Sequence, residues 1–414
     1  MKNMAQLQSS FKPIILGSDI NAYGIARSFY EAYGVSATIV CKKLLDTCEH
    51  TKYVDTVIVE QEVETQDVFM KTLEELAASR KDSSEKMILV PCGDSYSELM
   101  ARNKDELSKS FVLNIVDGDL HRRISRKESF YELCKQHGLA YPKTWVISAD
   151  STSKHVGDMT FPVILKPANS VMYWATKFPG KRKVFMARNQ QEYEKIVRAI
   201  YDSIYTDLFI VQEFIPGDLD GEFHFYSNQH KKATCMLFSE IILGSPTPEG
   251  IGSHTAETTT EQPELVAVFR SFLDAIGYRG FGNVDLRYDE RDNQWKVFEI
   301  NLRPGRCSYA LTASGNNLAE LIVNDMIYDK KQPFTASSNK VLNTLVSDKL
   351  LKKYAPQRWQ STINELISSK QYTHHYLSDD DINPRRIKNH LRHKARFYYV
   401  FKKYFGKQMI TDID

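Results

Sequence analysis

The sequence predicts an α/β chain: a mostly parallel amino-terminal sheet, a two-part α+β portion, and a C-terminal helical extension. Three observations carry this. Short apolar runs alternate with amphipathic stretches up to about Arg122, the pattern of strands joined by crossover helices. Beyond Arg122 the helical and strand-like stretches lose that regular alternation, and two strands flank a polar turn at residues 289–294. A chain of 414 residues also exceeds what one ordinary core supports. The expected units are residues 1–122, 123–206, 207–335 and 336–414.

In the first unit, residues 13–17, 36–40, 54–59, 87–91 and 111–115 read as strands, and 24–33, 66–78 and 95–107 as helices. The first turn, 17–24, lacks the GxGxxG spacing and carries acidic Asp19 where a pyrophosphate would lie, which argues against a dinucleotide site. The helix start near Gly24 offers backbone N–H groups to a carboxylate, or is an ordinary strand–helix turn. In the second unit, a helix over 128–137 stops at Gly138, and strands follow at 143–147, 161–166 and 183–187. A helix over 192–204 places Tyr193, Ile196, Val197, Ile200, Tyr201 and Ile204 on one face. The third unit has strands at 208–214, 221–226 and 233–242. Its helix, 265–276, is apolar at Leu265, Val268, Phe269, Phe272, Leu273 and Ile276, and strands 283–288 and 295–301 close the unit.

Residues 384–407 hold nine Lys or Arg and no acid, interleaved with six Phe or Tyr. The expectation is that this tail docks its aromatics on the protein's own core. The alternative is peripheral contact with an anionic membrane surface, or with an acidic partner.

Composition excludes several classes. A net charge of +2 carries no overall field and does not suggest nucleic-acid binding. The six cysteines form no CxxC pair, so a zinc site and a disulfide framework are unsupported. Residues 1–11 lack a signal-peptide apolar core, and no run of roughly 18 apolar residues occurs. A reducing cytoplasm fits, with the inner face of the membrane open through the basic tail.

The chemistry concentrates in the last two strands of the third unit. With a five-residue turn, 289 pairs with 295 and 287 with 297, which sets Asp285 opposite Glu299; Asn301 shares the Glu299 face. Opposed carboxylates are destabilising unless a cation lies between them, and hard oxygen ligands suit Mg2+ bound to phosphates. A solvated hairpin is the bland alternative. Arg303 and Arg306 follow at once, and guanidinium forks suit phosphate and carboxylate oxygens. Lys166 ends a strand as a point charge for phosphates, and Lys177, Lys181, Arg182 and Lys183 lie in the loop beyond. Residues 211–218 run from an apolar strand into a polar turn, so backbone there suits an adenine edge and an acid suits ribose.

Taken in order, Lys127, Lys166, Gln212-Glu213-Phe214-Ile215-Pro216-Gly217, Asp285 and Glu299-Ile300-Asn301 resemble the ATP-grasp superfamily over roughly residues 12–330. Within it the chain is similar to the D-aspartate ligase family of peptidoglycan synthesis. That similarity runs through Gly17-Ser18-Asp19, Cys92-Gly93-Asp94, Lys166-Pro167-Ala168-Asn169-Ser170, Pro246-Thr247-Pro248, Gly280-Phe281-Gly282-Asn283 and Phe298 to Arg303. The resemblance implies a Rossmann-like domain, a two-part ATP-grasp domain, and ATP-driven coupling of the D-aspartate β-carboxylate to the ε-amine of a stem-peptide lysine in a cell-wall precursor. It implies Asp285, Glu299 and Asn301 as Mg2+ ligands, Lys127 and Lys166 on the phosphates, and Gln212, Glu213, Phe214 and Ile215 as the adenine hinge. Asp218 or Glu222 would accept the ribose. Arg303, Arg306 and Lys166 would act on the transferring phosphoryl group or the acyl phosphate. The implied route is attack of the carboxylate on the γ-phosphorus, then of the amine on the acyl phosphate. His254 and Asp94 are candidate bases, and Asp19, Arg27 and Asp94 would line the amino-acid side. Residues 250–260 fall outside the matched pattern. Competing expectations are a ligase for another amino acid or amine, carbamoyl-phosphate-type chemistry, or a non-catalytic nucleotide sensor.

Overall fold

In the computed structural model, the described residues are 11–149, 158–168, 173, 176–182, 184–247, 250, 252–376 and 378–406. Three sheets organise them. The first is all parallel, in the order β3-β2-β1-β4-β5, from β1 (Phe11–Leu16), β2 (Ala37–Cys41), β3 (Val54–Val59), β4 (Lys86–Pro91) and β5 (Phe111–Val112). Strand order reverses between β1 and β4, which opens a crevice at their carboxyl ends. Asp94, first residue of the helix Asp94–Arg102, stands there.

The helix after β1 is Ile20–Tyr33, four residues longer at its start than the sequence suggests. Asp19 is the reason: its Oδ1 accepts from the Asn21 and Ala22 N–H groups at 3.1 and 3.3 Å. The donors considered for a bound carboxylate are thus occupied by the chain's own. Arg27 is also engaged, paired with Glu31 at 2.7 Å and lying over the Tyr309 ring.

The second sheet is antiparallel, in the order β6-β9-β7-β8, from β6 (Thr144–Ile147), β7 (Val163–Pro167), β8 (Phe185–Ala187) and β9 (Phe209–Glu213). The helix Gln190–Tyr201 covers it with Tyr193, Ile196, Val197 and Ile200. Ile204 does not join that face: the helix has ended, and the residue is 74% exposed.

The third sheet has eight strands, β10 (Asp220–Ser227), β11 (Ala233–Gly244), β12 (His254–Thr260), β13 (Gly280–Asp289), β14 (Gln294–Asn301), β15 (Thr335–Ala336), β16 (Leu342–Thr344) and β17 (Tyr372–His374). Its order is β14-β13-β10-β11-β12-β16-β17, with β15 beside β11. The helix Pro263–Ala275 packs Val266, Phe269, Phe272 and Leu273, while Val268, expected inside, faces solvent.

The C-terminal stretch is mainly helical, but β16 and β17 extend the large sheet, so residues 336–414 do not form a free-standing appendix. Its last helix, Pro384–Tyr404, buries Phe401 against Tyr354, as the self-docking expectation requires. Arg386 anchors it. The guanidinium is fully buried, pairs with Asp381 at 3.3 Å, and donates to the Thr47 and Tyr376 carbonyls at 2.6 and 2.8 Å. Asp381 in turn accepts from Tyr23 and Thr51 hydroxyls, which ties the C-terminal segment to the first sheet's domain. Removing one partner of such a pair strands a buried charge. Arg386→Met is expected to cost about 3–5 kcal/mol in urea unfolding, and a loss below about 1 would show the clamp to be dispensable.

Candidate active site

Three carboxylates lie in one row across the large sheet: Glu222 on β10 pairs directly with Asp285 on β13, which pairs with Glu299 on β14. The next row of the same face holds His224, Asn283 and Asn301. The hairpin's register near its turn differs from the expectation. Asp289 pairs with Gln294 and Arg287 with Lys296, one residue off, and an irregularity between Asp285 and Leu286 restores Asp285 opposite Glu299. Asn293, at φ 55, makes the tighter turn feasible.

Lys127, first residue of the helix Lys127–Gln136, brings its Nζ to 2.6 Å from Glu299 Oε2. Asn301 donates to Asp285 Oδ2 at 3.4 Å. Lys166 comes from β7, with its ammonium 5.5 Å from the Phe298 ring centroid. The turn after β14 carries Arg303, whose Nε donates to Asp94 at 2.9 Å. A Cβ on Gly305 would lie 2.8 Å from Glu222 Oε1 and 2.9 Å from Asn283 Cγ, so glycine is what lets this turn approach the row.

Electrostatics divide these groups. Lys127 holds Glu299 well below the ordinary carboxylate range, against the opposing effect of burial. Burial also opposes charge on Lys127, but Glu299, Tyr131 and Asp285 outweigh it and raise its pKa. Burial, then the charges of Glu222 and Glu299, push Asp285 far up. Burial and then the positive charge of Lys127 bring Lys166 down to about 7. Glu222 is lowered despite its burial, because His224, His254 and Asn283 face it. His254 Nδ1 donates to Glu222 Oε2 at 3.1 Å; although burial works the other way, that bond and the nearby carboxylates raise the imidazole to about 9. His254 is therefore a cation near neutrality and a poor proton acceptor there.

Two cavities meet at this row. A cleft of ≈ 790 Å³ is lined by Lys127, Lys166, Tyr173, Glu299 and Asn301 among others, and a polar chamber of ≈ 330 Å³ by Glu222, His254, Asp285, Arg303 and Arg306. Asp94, Glu299 and Asn301 line both. The larger has room for a nucleotide and the smaller for an amino acid, with the carboxylates on the wall between.

The remaining expected residues stand elsewhere. Gln212 is buried, its amide donating to Tyr131 and Thr144 hydroxyls at 2.7 and 3.0 Å. The Glu213 carboxylate accepts from Lys143 N–H at 2.8 Å and pairs with Arg291 at 2.9 Å. The Phe214 N–H bonds the Pro162 carbonyl, and the Ile215 side chain is buried. Asp218 pairs with Arg358 at 2.6 Å. Glu222 joins the carboxylate row rather than this hinge. In the loop after β7, Lys181 donates to the Thr176 carbonyl, while residues 169–172, 174–175 and Lys183 lie outside the described set, as does Pro248.

Asn283, His224 and Glu257 carry no role in the expectations from sequence. His224 is fully buried with its Nδ1 3.7 Å from Glu222 and its Nε2 3.6 Å from Glu257. Glu222 and His224, two apart among Phe223, Phe225 and Tyr226, are the available signal.

No protein-family model matches the chain. It is 36% identical over 413 residues to a D-aspartate ligase of Enterococcus faecium (strain Aus0004), covering 95% of this chain and 97% of the relative. Its fold is similar to an ADP complex of N5-carboxyaminoimidazole ribonucleotide synthetase, with TM-score 0.62, 12% identity, and 96% and 98% of the two chains covered. It is also similar to an L-amino acid ligase from Bacillus licheniformis, with TM-score 0.54, 14% identity, and 77% and 74% covered. Those structural likenesses establish an ATP-grasp fold; the near full-length sequence identity goes further, and the chain belongs to the D-aspartate ligase family as an ATP-dependent carboxylate–amine ligase.

Proposed function

We propose that this ligase activates the β-carboxylate of D-aspartate as an acyl phosphate and joins it to the lysine ε-amine of a peptidoglycan-precursor stem peptide. The observation that carries the reading is the full-length likeness to a D-aspartate ligase. The geometry agrees with it: a carboxylate row separates a nucleotide-sized cleft from an amino-acid-sized chamber.

The row also fits Mg2+. Asp285 carries an electrostatic burden, from burial and from two neighbouring carboxylates, that a hard dication relieves. Asp285, Glu299 and Asn301 would hold it, and bound MgATP supplies the phosphoryl group. Lys127 and Lys166 are the cations on the phosphate side. Arg303 and Arg306, together with the His254 cation, face the chamber, where carboxylate and phosphoryl oxygens gain charge. The attacking amine, with a pKa of ~10.4 in water, must lose a proton first. With His254 already protonated, Asp94, which lines both cavities, is the remaining candidate acceptor.

The test is ADP release with a panel of D- and L-amino acids, with hydroxylamine to trap an acyl phosphate and with or without a lysine-containing muropeptide. We expect a hydroxamate from D-aspartate alone, and full turnover only when the muropeptide is added. ADP formed solely with L-amino acids would retain the ligase and remove D-aspartate as its substrate.

A further inference from the structure

The face of the helix Pro384–Tyr404 that does not dock on the protein has a pattern of its own. Ile387, Leu391 and Tyr398 are 41%, 59% and 47% exposed. Their spacing of four and seven residues keeps them on one side, since four and seven residues are close to one and two helical turns. Tyr399, 61% exposed, stands beside this stripe. Arg385, Lys388, Arg392, Lys394, Arg396, Lys402 and Lys403 are all exposed, interspersed in the stripe or flanking it. No acidic residue occurs between Asp381 and Asp412. Among the described residues, none of these seven cations makes an ion pair. The whole chain has a net charge of only +2, so the positive charge gathered here is a local feature of one face.

Water is a poor environment for a line of exposed aliphatic and aromatic side chains, and an unneutralised set of cations attracts anions. One surface satisfies both: an anionic bilayer, whose headgroups meet Lys and Arg while apolar and aromatic side chains enter the headgroup–acyl boundary. A second copy of this chain would face the same charges and be repelled. No helix among the described residues is long and apolar enough to cross a membrane, so the contact is peripheral. We propose that the exposed face of the helix Pro384–Tyr404 is a docking surface for anionic lipid, with the helix lying in the plane of the bilayer surface. This rests on the C-terminal helix alone and stands or falls apart from the substrate assignment.

The full-length protein is sedimented with vesicles of phosphatidylcholine, or of phosphatidylcholine containing phosphatidylglycerol. Each Lys or Arg near such a surface contributes on the order of fivefold to binding, so we expect at least about tenfold stronger partition to the anionic vesicles, weakening with added salt. Leu391→Asn with Tyr398→Asn removes the stripe without changing charge, and Lys388→Gln with Arg392→Gln removes two charges. Each pair should weaken binding about tenfold or more while ADP formation in solution and the melting temperature stay unchanged. Equal partition to both vesicle types would overturn the proposal, as would binding that survives both pairs of substitutions. A failure to bind any vesicle would also overturn it and point to an acidic protein partner. A solution dimer that Leu391→Asn dissolves would overturn it in favour of a second copy.

Discussion

Asp285→Asn is expected to lower ADP formation by at least about a thousandfold while the melting temperature holds or rises. Both halves follow from the row of carboxylates. Asp285 stands between Glu222 and Glu299 on neighbouring strands, and burial followed by those two charges raises its pKa far above the carboxylate norm. A group whose folded pKa is raised contributes stability below its unfolded value of ~3.9, and that contribution is lost as pH climbs through the folded value. At neutral pH, well above the unfolded value, the Asp285 carboxyl therefore works against the fold whether it keeps or gives up its proton, and an isosteric amide removes that penalty together with its pH dependence. Turnover should fail because the nucleotide's metal loses a charged ligand. Glu299→Gln makes the contrast. It leaves the half-buried Lys127 ammonium, now 2.6 Å from Glu299, without its counter-charge, so activity and stability should fall together. Thermal unfolding across pH, alongside an ADP-coupled assay, separates the two variants. If Asp285→Asn kept substantial activity, or melted well below the parent, the row would be a structural network and not a metal site.

Parts of this arrangement were legible in the sequence for physical reasons. A period of two puts Glu299 and Asn301 on one face, and a hairpin signal brings Asp285 opposite. The turn is one residue tighter than the spacing predicts, and the irregularity beside Asp285 compensates, a device that leaves no mark in residue type. The place of Glu222 in the row, rather than at the ribose, is beyond such reasoning, because β10 lies next to β13 only through long-range sheet order, with β11 and β12 between them in sequence. For the same reason His224 and Glu257 meet only in the folded sheet. The parallel amino-terminal sheet is readable from its short apolar runs, whereas β16 and β17, three residues each, are too short for any periodicity. Ile204 leaves the predicted face because the helical period does not continue past Tyr201.

Lys166 should be a proton-linked nucleotide ligand. In the nucleotide-free protein, burial and the neighbouring Lys127 ammonium hold it at about 7, so near neutrality it is roughly half ionised. For the free protein, its depressed pKa gives a contribution to stability that is complete above the unfolded value of ~10.4 and lost as pH falls through about 7. Nucleotide phosphates reverse the balance, because a tetra-anion beside the ammonium favours the charged form. Binding at pH 8 should therefore take up a proton, detectable as a buffer-dependent heat in titration calorimetry. The affinity for nucleotide should fall by up to about tenfold per pH unit above 7. Lys166→Met should abolish the uptake and weaken binding by roughly ten- to a hundredfold, the worth of a charge-assisted hydrogen bond. Lys166→Arg should retain part of the affinity with no uptake, since a guanidinium does not titrate in this range. Lys127→Met tests the cause of the depression. Without the like charge beside it, and with Glu299 released toward it, Lys166 should move up and the proton uptake at pH 8 should shrink. Uptake that survived Lys166→Met unchanged would assign the titrating group elsewhere in the cleft.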